Sequence, residues 1–136
     1  MEDCIFCQII KGEIPSDKIY EDDKVFAFLD LNPADAGHTL VIPKKHSKNI
    51  LETSKEDLNA IIETSQMLAG KIMKALGAKG FNIFVNTNKE AGQLVFHTHF
   101  HIVPRYEENE RKYVWTGEPM DFPRHKVLKI VKEALK

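Results

Sequence analysis

The chain reads as an α+β protein on three observations. Short runs rich in β-branched and aromatic residues are separated by a few turn residues, the pattern of strands joined by tight connections. One long stretch, Lys55 to Leu76, repeats its apolar residues at helical spacing in the midst of these runs. A last amphipathic stretch runs from about Arg124 to Leu135. Short turns favour antiparallel neighbours, so the expectation is an antiparallel sheet with one long helix crossing over and helices packed on one side.

Taken in order, Cys4 to Lys11 is expected as a short helix or turn stopped by Gly12. Lys18 to Glu21 and Lys24 to Leu31 flank Asp22-Asp23 and predict a hairpin. Asn32 to Gly37 is turn chemistry, and His38 to Ile42 is a β-branched strand closed by Pro43. For the long helix, Ser54 is the expected N-cap, with Asp57 three residues on, and Gly77 the C-terminal cap. Leu58, Ile61, Ile62, Ser65, Leu68, Ile72 and Leu76 form its expected apolar stripe, with Met67 and Met73 as packing beside it. Phe81 to Val85 is the next strand, Asn86 to Gln93 a polar loop, and Val95 to Val103 a strand stopped by Pro104. Arg105 to Phe122, which includes Trp115, has no clear period, and His125 is expected at the surface.

A chain of 136 residues, 43% hydrophobic and 29% charged, suits one domain with its own core. A net charge of −1 supplies no basic field, so neither nucleic acid nor a membrane is expected as partner. Met1-Glu2-Asp3-Cys4 does not resemble a signal peptide and no apolar run could span a bilayer, so a cytoplasmic protein is expected.

Candidate chemistry concentrates in His97-Thr98-His99-Phe100-His101-Ile102-Val103. In a strand, side chains two apart share a face. Val95, His97, His99, His101 and Val103 then share one, while Phe96, Thr98, Phe100 and Ile102 share the other and cover a core. Imidazole titrates near neutral pH and serves as nucleophile, proton donor or metal ligand. Half of the six histidines fall within five residues, which is too concentrated for ordinary structural use. The residues alone leave two readings, a metal site and phosphoryl chemistry. Cys4-x-x-Cys7 has the spacing of a zinc knuckle, but two cysteines do not close a tetrahedral site, and free thiols are the alternative.

Several segments together resemble the histidine triad family of nucleotide hydrolases and transferases. Its signature, His-x-His-x-His followed by two apolar residues, is met by His97, His99, His101, Ile102 and Val103. Cys4-Ile5-Phe6-Cys7, Gly12-Glu13-Ile14-Pro15, the segment from Gly37 to His46 and Gly92-Gln93 follow family order. The resemblance runs from roughly Cys4 to Arg105 and is similar to the small Hint-like branch common in bacteria. Residues 1–136 then form a single domain, with about 105–136 as a variable C-terminal extension.

The resemblance implies an antiparallel sheet of about five strands with one long helix, which together with the last amphipathic stretch gives a C-terminal helix as well. It also implies a symmetric homodimer paired through the long helix and a strand, and a purine nucleotide beside the histidine strand. The implied activity is a nucleotidyl hydrolase that cleaves phosphoramidates, adenylates or dinucleoside polyphosphates at the α-phosphorus through a covalent nucleotidyl-histidine. The alternative is a nucleotide-binding, zinc-stabilised regulatory module with little catalysis.

By that match His99 is the nucleophile, His101 lies at the phosphate or bridging oxygen, and His38 is a fourth site histidine. His101 stands where the transferase branch has glutamine, which favours hydrolysis. Asn86 matches a contact to the leaving group or phosphate, with a plain turn residue as the alternative. Asp30 matches a ribose-binding acid, with a strand-end cap as the alternative. Leu31 and Phe6 match base contacts, and Gly92 and Gln93 belong to the substrate loop. Leu94 departs from the pattern, because many family hydrolases carry Ser or Thr there. In some bacterial members the cysteine pair is completed by two histidines, which makes Cys4, Cys7, His46 and His97 the implied ligands of a structural Zn2+.

Overall fold

The computed structural model describes residues 3–107 and 123–136. Five antiparallel strands, β1 (Lys18–Glu21), β2 (Val25–Leu29), β3 (Thr39–Pro43), β4 (Gly80–Val85) and β5 (Phe100–Arg105), form one sheet in the order β1-β2-β3-β5-β4. Helices α1 (Ile5–Ile10), α2 (Lys55–Leu76) and α3 (Arg124–Ala134) complete the α+β fold. Among the described residues no helix is long and apolar enough to cross a membrane.

Strands β2 and β3 are buried along their whole length because helices cover both faces of the sheet there. Val25, Ala27, Leu29 and Val41 face α2 and α3, joined by Phe100 and Ile102 of β5. Phe26, Phe28, Leu40 and Ile42 face the other way and pack on Phe6 and Ile9 of α1. The second, smaller core anchors the N-terminal helix next to the histidine segment.

Helix α2 has the bounds the periodicity predicts. Ser54 Oγ accepts the Asp57 N–H at 3.1 Å, a cap worth about 1 kcal/mol. Gly77 takes the left-handed φ of 74° that ends the helix. The stripe needs one correction: Ile62 is exposed and Thr64 is buried, because the sheet meets the helix along Ile61, Ser65, Leu68 and Ile72. The C-terminal helix packs on α2 and β1, with Val127 and Val131 in the core and His125 exposed. Of the irregular stretch from Arg105 to Phe122, residues 108–122, Trp115 included, lie outside the described residues.

The histidine strand is displaced from its expected place. It begins at Phe100, not Val95, and continues through Pro104 to Arg105. Neighbours explain both ends. Pairing with β3 and β4 starts at Val41↔Phe100 and Val85↔Phe100, so residues before Phe100 have no ladder to join. Pairing with β3 ends at Thr39↔Ile102, so Pro104 meets only β4, a position where a missing N–H is tolerated. Phe96 is consequently exposed, and Thr98 is buried in a polar cluster instead of facing the core. The other boundaries shift by a residue or two. Strand β2 ends at Leu29 where Asp30 Oδ1 accepts the Asn32 N–H at 2.9 Å and turns the chain.

Candidate functional site

The three triad histidines line up although only His101 is in a strand. The His99 and His101 rings lie 5.0 Å apart, and Phe6 packs edge-on to His97 at 5.9 Å and to His99 at 5.1 Å. His99 Nδ1 donates to the His97 carbonyl at 2.7 Å, which leaves the lone pair on Nε2. Burial holds its pKa below the ordinary histidine value, against the opposing pull of that hydrogen bond. His99 is therefore a neutral imidazole whose outer nitrogen carries an electron pair, the form a nucleophile needs.

His101 and His38 form a second group with Asp30. The Ala34 N–H donates to His38 Nδ1 at 2.9 Å, so the proton of neutral His38 sits on Nε2. That nitrogen lies 3.0 Å from His101 Nδ1 and 3.5 Å from Asp30 Oδ2. His101 Nδ1 must then accept, which places the His101 proton on Nε2. Burial first, and neighbouring charge second, pushes the pKa of both rings down, to about 3 for His38, so Asp30 faces a neutral ring and not an ion-pair partner. Phe84 stacks on His101 at 4.6 Å with an interplanar angle of 12°, which fixes the ring. Asp30 itself is raised by burial, opposed by the Asn32 hydrogen bond.

Cys4, Cys7, His46 and His97 converge at the start of α1. Cys4 caps α1, its Sγ accepting the Cys7 N–H at 3.4 Å, so one turn of helix brings both sulfurs together. Sγ of Cys4 lies 3.4 Å from His97 Nδ1, Sγ of Cys7 lies 3.5 Å from His46 Nδ1, and the two Nδ1 atoms are 3.2 Å apart. Tetrahedral zinc with bonds of about 2.3 Å to sulfur and 2.0–2.1 Å to nitrogen spaces a sulfur and a nitrogen by about 3.5 Å and two nitrogens by about 3.3 Å. All four ligand atoms lie within 4.8 Å of one another. His97 Nε2 donates to the Pro43 carbonyl at 2.8 Å, which fixes the ring so that Nδ1 offers its lone pair toward the other three ligand atoms. Burial pushes the Cys7 thiol up, and the neighbouring Cys4 adds to it.

The remaining expected residues divide. Asn86 Nδ2 donates to the Gly92 carbonyl at 3.4 Å, and Gly92 holds a φ of 94° against it, so the pair shapes one loop edge. Leu31 is 63% exposed and open to a ligand, whereas Phe6 is buried against the imidazoles. Gln93 is buried: its oxygen accepts the Asn88 N–H at 2.8 Å, and its nitrogen donates to the Lys48 and Val95 carbonyls. These bonds brace the loop. Leu94 is 86% exposed and supplies no hydroxyl. Sequence reasoning missed Phe84, which pairs with His101 across β4 and β5, and the backbone groups of Ala34 and Pro43 that set the ring tautomers.

Residues 11–108 match the family model described as HIT domain. Among curated proteins the chain is 43% identical over 132 residues to the adenylylsulfatase HINT3 of Arabidopsis thaliana, covering 97% of this chain. It spans 64% of the length of that relative. Among solved structures it is similar to a zinc-bound histidine triad family protein from Mycobacterium smegmatis, with a TM-score of 0.89 and 35% identity over 98% of this chain and 94% of that one. A histidine triad nucleotide-binding protein from Sulfolobus tokodaii gives a TM-score of 0.85 and 34% identity over 97% and 91%.

Proposed function

The chain belongs to the HIT family, and on that premise we propose that it is a purine nucleotide-binding nucleotidyl hydrolase with His99 as nucleophile. The observation that carries this is the His99 Nδ1–His97 carbonyl bond of 2.7 Å, which presents Nε2 as a neutral electron-pair donor. In the first step Nε2 forms a bond to the α-phosphorus of a phosphoramidate or adenylate. The bond from phosphorus to the leaving nitrogen or oxygen breaks, and the leaving group departs with that electron pair and takes a proton from solvent. The phosphorylated ring is then an imidazolium, and its Nδ1–H stays bonded to the His97 carbonyl. Water attacks the phosphorus, the P–N pair returns to Nε2, and a proton is released with the nucleoside monophosphate. His101, with its proton on Nε2, donates to a phosphoryl oxygen as charge builds there. Asp30 and Leu31 take the ribose and base, with Phe6 beneath, and the Asn86–Gly92 edge faces the leaving group.

Cys4, Cys7, His46 and His97 fit a structural zinc by donor type and spacing. When bound it ties the N-terminal helix and the loop after Pro43 to the triad segment, and it contributes to folding and not to the reaction. A reducing compartment such as the cytoplasm suits cysteines that must stay reduced to serve as ligands. We take residues 1–136 as a single domain and the assembly as a homodimer. Strand β4 lies at the edge of the sheet with Phe81 and Ile83 exposed, a surface that suits pairing with a second copy.

Leu94 keeps the alternative in play, a nucleotide-binding module with little catalysis. Adenosine 5′-phosphoramidate separates the two. Turnover to AMP, with an adenylyl group trapped on the peptide that carries His99, supports the hydrolase. Tight AMP binding without turnover supports the module.

A further inference from the structure

We propose that Thr98 is a positioning residue for the nucleophile, acting with Ser47 and Thr53 through a closed ring of three hydroxyls. The inference rests on the reading of His99 as nucleophile and adds what holds that residue still. Ser47 Oγ lies 2.8 Å from Thr53 Oγ1 and 3.0 Å from Thr98 Oγ1, and the two threonine hydroxyls are 2.7 Å apart. Thr53 Oγ1 also lies 2.9 Å from the Asn49 carbonyl and Thr98 Oγ1 3.3 Å from the Ser47 carbonyl, so the three hydroxyl protons are shared among these five contacts. The side chains of Thr53 and Thr98 are buried, and the ring stands where an alternating strand would have placed Thr98 against the apolar core.

The segment from Val95 to His99 has no ladder, so something else must fix the peptide units that carry His97 and His99. One unit matters most. The carbonyl of His97 and the N–H of Thr98 belong to the same planar group and point in opposite directions. On one side the His97 carbonyl accepts from His99 Nδ1 at 2.7 Å. On the other, the Thr98 N–H donates to the Ser47 carbonyl at 2.8 Å. This peptide is held from both sides, and donation through its N–H polarises its carbonyl into a better acceptor for His99. The hydroxyl ring links the two residues of the second contact, Ser47 and Thr98, and closes through Thr53 onto the turn at Asn49. It thereby sets the rotation of the peptide plane and, through it, the tautomer and aim of His99.

The test compares Thr98→Val, which keeps the shape and removes the hydroxyl, with Thr98→Ser, which keeps the hydroxyl. With adenosine 5′-phosphoramidate, Thr98→Val should lower kcat by about 10-fold to 100-fold, the penalty of a misaimed group, with KM changed less than about 3-fold. Thr98→Ser should restore most of kcat. Nitrogen NMR of the ligand-free protein should show the single Nδ1–H form of His99 in the wild type and a mixture of tautomers in Thr98→Val. The imidazole readout needs no turnover, so it tests the positioning role even if the hydrolase reading fails. Unchanged kcat with an unchanged tautomer overturns the proposal. So does a loss of kcat that Thr98→Ser shares, or one accompanied by loss of bound zinc. If Thr98→Val does not fold, Thr53→Val removes a hydroxyl from the same ring and is judged by the same readouts.

Discussion

Two clusters of this molecule are made of similar side chains and lie on either side of His99, yet their chemistry differs. Cys4, Cys7, His46 and His97 form one; Asp30, His38 and His101 form the other. Both are rich in buried imidazole, and both bring ligand atoms close enough for an ion. The difference lies in one backbone partner each. The Pro43 carbonyl accepts a hydrogen bond from His97 Nε2–H, so His97 turns a lone pair inward. The Ala34 N–H donates a hydrogen bond to His38 Nδ1, so His38 turns an N–H inward. A metal needs lone pairs, and a phosphate needs donors. The first cluster is arranged to hold a cation and the second to hold and present protons, and the backbone decides which.

The largest expected effect falls on the residue between the clusters. His99→Ala should lose at least about three orders of magnitude in kcat, roughly 4 kcal/mol of barrier, because neither cluster supplies a second nucleophile. Nucleotide binding, followed by calorimetry with AMP, should largely persist. Near-wild-type turnover in this variant would show that the covalent route is wrong.

The next prediction tests the contrast directly. Purified protein should carry about one zinc per chain, and Cys4→Ser with Cys7→Ser should carry almost none. Removing zinc from the wild type should cost about 3 kcal/mol of stability in urea at moderate zinc excess. Cobalt substituted at the site should show thiolate charge-transfer bands. Two zincs per chain, or one retained without the cysteines, would mean that the second cluster also takes metal and that the tautomer argument fails.

A smaller effect is expected at His101. His101→Ala should lower kcat by about 100-fold, in the range of losing one donor to a developing negative charge, with zinc content unchanged. A loss equal to that of His99→Ala would move His101 from charge stabilisation into the covalent step.

Much of the fold was legible because its signals are local. Ser54, Gly77 and the apolar stripe of α2 need only their own neighbours, and that helix has the predicted bounds. The spacing His97, His99, His101 placed three rings on one side even though the strand starts later, because extended backbone alternates with or without a ladder. What stayed hidden depends on partners far along the chain. Strand β5 starts at Phe100 because β4 ends opposite it at Val85 and pairing with β3 goes no further than Val41. The bonds of the Gln93 amide to the Lys48 and Val95 carbonyls carry no local signal in the sequence. Cysteine spacing pointed to half of the Cys4, Cys7, His46 and His97 cluster, while the two histidines came only through family resemblance. No local pattern marks the Pro43 carbonyl or the Ala34 N–H, the two groups on which the contrast between the clusters rests.

The smallest predicted effect separates the clusters by their response to acid. Burial lowers the pKa of His38 to about 3 in the fold, against about 6.5 in an unfolded chain. A depressed histidine pKa means that the unfolded chain binds the proton first. The stability tied to neutral His38 is fully present above about pH 6.5 and is lost progressively as the pH falls toward 3. Zinc held by the Cys4, Cys7, His46 and His97 cluster would also be lost in acid, because protons compete for metal ligands, so a falling urea midpoint alone does not tell the two apart. His38→Gln does, since it removes one titrating ring and leaves Cys4, Cys7, His46 and His97 in place. Between pH 7.5 and pH 5.5 the wild type should lose about 1 kcal/mol more than His38→Gln, with zinc held constant in both. Parallel loss in the two proteins would mean that the acid response belongs to other groups, and that His38 is not held neutral by its burial.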